Sequence, residues 1–101
     1  MTVSETHKID IVASDPDGKI VCAMCEPRQW GSSTRMIDEL IEKIQVYIAF
    51  IGSEGYKNQH GDTEASIALI ASYEPPEDVK SLLKEIGESE GIEISYKVMP
   101  T

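Results

Sequence analysis

The sequence predicts an α+β two-layer sandwich: a mixed four-stranded sheet with two helices on one face, in the order ββαβαβ. Three observations predict it. Residues 33–51 place Ile37, Leu40, Ile41, Ile44, Ile48 and Ile51 at the spacing of one face of a 3.6-residue repeat, with Tyr47 at its margin. Residues 8–14 and 92–98 alternate instead with period two, the signature of a strand. The run Asp15-Pro16-Asp17-Gly18 between the first two apolar alternations carries the residues a tight turn demands. With 101 residues, 41% apolar and 27% charged, the chain suits one domain spanning 1–101 with a modest core, residues 1–7 being expected to fray.

Taken in order, the first strand (8–14) sets Ile9, Ile11 and Ala13 against Asp10, Val12 and Ser14, and the second (19–25) completes an antiparallel hairpin. Pro27 ends that strand, and Ser32, Ser33 and Thr34 are three candidate N-caps for the long helix, with Asp38 and Glu39 near its positive end. Gly52 and Gly55 are expected to stop it, leaving 53–63 as a polar connector. Residues 64–73 are apolar on both faces for part of their length, which predicts a central strand with Ile67, Leu69, Ala71 and Tyr73 on one side. Pro75 and Pro76 break it, Pro76 suiting a first helical position. A second helix follows with Val79, Leu82, Leu83 and Ile86 as its stripe, Gly87 weakening its last turn and Gly91 closing it. The last strand (92–98) alternates Ile92, Ile94, Tyr96 and Val98 with polar residues. With both helices on one face, the other would carry Val12, Val21, Ala23, Ala68 and Ile70 and stand open to a partner.

Eighteen acids against nine bases give a net charge of −9, which repels phosphate backbones and anionic lipid and favours a basic protein partner. No secretory signal is expected from residues 1–10, no apolar run nears the ~18 residues of a membrane span, and two cysteines suit a reducing, cytoplasmic setting. Cys22 and Cys25 form a C-x-x-C, but on a strand rather than at a helix N-terminus, so their side chains should point to opposite faces. Zinc would need further ligands, and His7 and His60 are the only histidines. The carboxylate pairs Asp15 with Asp17 and Glu88 with Glu90 sit in turns and helix ends, where solvated charge is the ordinary state. No phosphate-binding loop or nucleophile motif occurs, so neither catalytic residues nor a cofactor are expected.

Interface candidates are easier to name. Trp30, the single tryptophan, lies in a polar connector, either folded back over the core or exposed as an anchor. Met36, Val46 and Phe50 form a second apolar set on the long helix, off its main stripe, and would serve a buried helix or a homodimer. Six acids against two bases between residues 77 and 93 suggest an acidic face, with Glu85, Glu88, Glu90 and Glu93 at its centre.

The hairpin KIDIVASDPDGKIV, Trp30, and the helix DELIEKIQVYIAFI with its trailing glycines resemble a family of short uncharacterised bacterial proteins. Its members carry a K-I-D strand, an aspartate turn closing on G-K, a tryptophan, and a helix ending Y-x-x-F-I. The similarity spans nearly the whole chain and implies a domain of unknown function with no catalytic residues to carry over. Where that family is usually aliphatic in its second strand, this chain has Cys22, Met24 and Cys25, which favours reading the cysteines as core residues. The expected function is a non-enzymatic interaction module, in an immunity or antitoxin-like version an acidic cover for a basic protein. The alternative is a small-molecule or metal-binding protein using Cys22, Cys25 and His60.

Overall fold

A computed structural model describes residues 11–14, 16, 18–61 and 63–99. The expected frayed segment 1–7 with His7, the expected strand start at 8–10, and Asp15 and Asp17 lie outside the described residues. The elements are β1 (Ile11–Ser14), β2 (Ile20–Glu26), α1 (Met36–Ile51), α2 (Glu54–His60), β3 (Ala65–Ala71), α3 (Glu77–Glu90) and β4 (Glu93–Val98). The sheet order is β1-β2-β3-β4, with β1 antiparallel to β2 and the two pairs that follow parallel. A mixed four-stranded α+β sheet is therefore present, with β3 inside it as its two-sided apolar pattern requires.

A third helix, α2, stands where the sequence predicts none. Residues 53–63 were expected to be a connector with Gly55 as a stop, yet Gly55 lies within α2. Ser53 explains this: its Oγ accepts from Tyr56 N at 3.2 Å, an N-cap immediately after the α1 C-cap at Gly52. Tyr56 then anchors the short helix, its ring edge-on to Phe50 at 5.6 Å between centroids and its hydroxyl donating to Thr63 O at 3.0 Å.

Alternation sorts the sheet. Ile20, Cys22, Met24, Ile67, Leu69 and Ala71 are buried beneath Leu40, Ile44 and Tyr47 of α1, Tyr56 of α2, and Val79 and Leu83 of α3, so all three helices cover one face. Val12 is a correction to the expected open face: its register partner is Cys22, so it points to the helix side. The uncovered side keeps Ala13, Val21, Ala23, Cys25, Ala68 and Ile70.

The long helix is also rotated from the expected stripe. Its buried residues are Met36, Leu40, Lys43, Ile44 and Tyr47, whereas Ile37 is 36% exposed and Ile41 and Ile48 are only half-buried. Lys43 causes the misreading. A lysine scores as surface, yet this one is fully buried, its Nζ 5.9 Å from the Tyr47 ring centroid. The helix starts at Met36 rather than 33, because Ser33 Oγ is engaged by Arg35 N at 3.2 Å in the preceding turn. In α3, Pro76 is the N-cap rather than the first helical residue, and Gly91 closes the helix at φ 66°, ψ 28°.

Candidate functional site

The parallel strands β2 and β3 end on the same side of the sheet, and α1 and α3 both begin there. Open α/β architecture places binding crevices at such carboxyl ends. β2 ends on Glu26, whose side chain is only 1% exposed and is held by Arg28. Arg28 Nε donates to the two carboxylate oxygens at 3.1 and 3.0 Å, Nη2 donates at 2.6 Å, and the Arg28 backbone N donates at 3.1 Å. The same guanidinium reaches Glu39 Oε1 on the first turn of α1 at 2.9 Å, the close partner of that otherwise unbonded buried oxygen. Hydrogen bonds to Glu26, with a smaller share from Glu39, push the Arg28 pKa above the usual arginine value.

This clamp fixes the connector from β2 to α1, and Trp30 lies two residues beyond it. The Trp30 indole packs against the core on one side, and its Nε1 donates to Tyr73 O at 3.0 Å on the connector after β3. Gly31, at φ 87°, then turns the chain toward α1. Between these connectors and the two helix starts lies a cleft of about 580 Å³. Trp30, Met36, Ile37, Tyr73 and Val79 give it apolar and aromatic walls, Glu74 and Asp78 also line it, and among the described residues its lining has no lysine, arginine, histidine or cysteine. Tyr73 is 48% exposed, so an aromatic face is open to a ligand.

The described charges around the site leave a negative excess. Two helix N-termini contribute about half a positive charge each. Against them stand Asp38, Glu39, Glu77 and Asp78 in the first turns, with Glu26 and Glu74 nearby, and only Arg28, Arg35 and Lys80 to offset these. Lys80 is held by Glu74 at 2.8 Å and Asp78 Oδ1 accepts from Val79 N at 3.0 Å, so the carboxylates are oriented, but the negative excess persists. Such a site can seat an apolar or aromatic group carrying a cation.

The other residues singled out in the sequence disperse. Cys22 is in the core, where burial pushes its thiol pKa up, and Cys25 is half-buried on the opposite sheet face; both are free. His60 lies in α2, but its side chain is not among those described. Among the described residues no cluster of three or more His, Cys, Asp or Glu is arranged to hold a metal. Met36 is only 2% exposed and closes the floor of the cleft, Phe50 packs on Tyr56, and Val46 is half-buried elsewhere on α1, so these three make no common patch. The acidic face is likewise divided: Glu85 and Glu90 border a groove toward α1, while Glu88 and Glu93 border a hollow beside β4. Of the expected interface residues, Trp30 and Met36 meet in the cleft; Tyr73 and Ile37, expected only as core residues, join them there, and the Glu26–Arg28–Glu39 clamp, not expected at all, holds the connector beside it.

Comparisons with curated proteins and with solved structures find no match. No helix among the described residues is long and apolar enough to cross a membrane. A family model described as a family of unknown function (DUF6572) matches residues 1–100, and the chain belongs to that family.

Proposed function

We propose that this protein is a non-enzymatic, cytoplasmic interaction module that receives a basic segment of another protein in the cleft between the starts of α1 and α3. The observation that carries this reading is the cleft itself: aromatic walls from Trp30 and Tyr73, the oriented carboxylates of Glu74 and Asp78, and no base among the described residues of its lining. A basic side chain with an apolar stem gains there from cation–π contact and from charge complementarity, each worth on the order of 1 kcal/mol at a partly exposed site. A second copy of this acidic chain would bring like charges together, so the partner is a different protein, as in an immunity or antitoxin-like pair. The test is capture of partners at low and high salt by wild-type protein, Trp30→Ala and Tyr73→Ala. A basic protein held at low salt by wild type, released by salt and lost from both variants supports the reading; equal recovery on all three rejects it.

A small-molecule reading is favoured by one observation, a volume of about 580 Å³, within the range of ligand pockets. It predicts a complex that Tyr73→Ala weakens but salt does not. The metal version on Cys22, Cys25 and His60 has less support, because β2 directs its two cysteines to opposite faces.

A further inference from the structure

We infer that the partner segment is a basic amphipathic helix of about three turns lying along the seam between α1 and α3, an inference that rests on the interaction reading above. A second hollow follows the cleft one turn beyond Ile37 and Val79. Along α1 the residues Ile41, Gln45 and Ile48 line it, and along α3 Leu82 and Ile86 do the same, enclosing about 360 Å³. From Ile37 to Ile48 the seam runs about 17 Å, at 1.5 Å per residue.

Charge selects the occupant. Among the described residues neither hollow is lined by a lysine or arginine, while Asp78, Glu85 and Glu90 stand on the α3 side. The bases of α3 lie toward β4: Lys80 stands over the Tyr96 ring at 5.5 Å while holding Glu74, and Lys84 borders the hollow beside β4, which leaves Asp78, Glu85 and Glu90 as the acids of the seam. A basic ligand is matched along the whole length, and a second copy or an anionic surface is repelled.

Backbone chemistry selects its conformation. Both walls of the seam are helices, whose central N–H and C=O groups are bonded internally, so an extended peptide laid there would find no ladder for its own backbone. A helix satisfies its backbone internally and needs only an apolar stripe. Its largest anchor would enter between Trp30 and Tyr73, smaller residues one and two turns on would meet Ile41, Leu82 and Ile86, and flanking Lys or Arg would face Glu85 and Glu90.

The experiment is selection of an unbiased displayed library of peptides of about 16 residues lacking tryptophan, on the wild-type protein at low salt, a length that spans the seam with one turn to spare. Winners are then assayed against Tyr73→Ala and against the exposed charge reversal Glu85→Lys/Glu90→Lys, each confirmed as folded by circular dichroism. Because Trp30 is the single tryptophan, its emission reports occupancy of the cleft directly. The expected winners show apolar residues at i, i+4 and i+7 with basic flanks, gain helicity on binding, shift Trp30 emission, and weaken about tenfold or more on the charge reversal. Winners that are extended or proline-containing, lost on Tyr73→Ala but indifferent to the charge reversal, overturn the helix and leave the cleft reading standing. No enrichment over an unrelated acidic protein, or winners indifferent to both variants, overturns both.

Discussion

Arg28→Met tests whether the clamp at the end of β2 holds the binding end of the molecule together. In the wild type one guanidinium serves two carboxylates, Glu26 at 1% and Glu39 at 19% side-chain exposure, and is itself 28% exposed. Methionine keeps much of the stem volume but leaves Glu26 buried without its cation and the Glu39 Oε1 atom without its close partner. Breaking a fully buried pair costs about 3 to 5 kcal/mol; with part of this site reached by water, about 2 to 3 kcal/mol is expected. At roughly 4 to 8 °C per kcal/mol for a domain of this size, the melting midpoint falls by about 10 to 20 °C. Trp30, two residues on, should emit further to the red in the folded variant, because its connector has lost its tether. Glu26→Gln with Arg28→Met removes the stranded charge and should be less destabilised than the two single changes added together. Urea and thermal unfolding followed by circular dichroism and Trp30 fluorescence measure all three. A midpoint within a few degrees of wild type and an unmoved emission maximum would show an ordinary surface ion pair, and the account of how the cleft is held would fail.

Three further outcomes test other parts of the fold. Helix propensity alone makes Gly87→Ala stabilising by nearly 1 kcal/mol, but a Cβ there would stand 2.8 Å from Ile92 O, so thermal unfolding should show a net loss of about 1 to 2 kcal/mol, and a raised midpoint would refute the contact. For the cysteines, a thiol reagent should label Cys25 in the folded protein and Cys22 only on unfolding. Burial raises the Cys22 pKa above its ordinary 9.0, so its stabilising contribution is complete below about pH 9 and fades as pH rises through the folded value; a fading equally steep in Cys22→Ala would assign it elsewhere.

The fold was legible wherever burial imposes a period. The alternation of residues 92–98 marks the β4 strand and the two-sided apolar run of β3 is a direct image of the sheet, sufficient to place β3 inside it. What escaped was set by side chains acting against their averages. Ser53 starts a helix by offering its hydroxyl to Tyr56 N, a local bond that outweighs two nearby glycines. Gly87 reads as a weak point in α3, but its missing side chain is what allows Ile92 to return beneath the helix, with Ile92 N donating to Gly87 O at 3.1 Å.

The candidate site was less legible because it lies where the periods stop. Trp30 and Tyr73 are separated by 43 positions and meet only because β2 and β3 are parallel neighbours whose connectors leave the sheet together. No spacing rule joins them; the lone tryptophan in a polar connector was the one signal available. The long helix shows a related ambiguity, since it carries two overlapping apolar stripes. One, through Met36, Leu40, Ile44 and Tyr47, is sunk into the core, and the other, through Ile37, Ile41 and Ile48, is left half-covered along the seam. A helix that packs on a sheet through a single face needs an apolar arc of about 100°. α1 has more than that, and α3 stands far enough away to leave a groove over the surplus. The strongest periodicity in the sequence therefore marks the union of the buried stripe and the seam. That surplus is the physical basis for assigning the seam to a partner: its apolar residues follow those of the Trp30 cleft at helical spacing along α1 and α3, and Asp78, Glu85 and Glu90 line the two hollows.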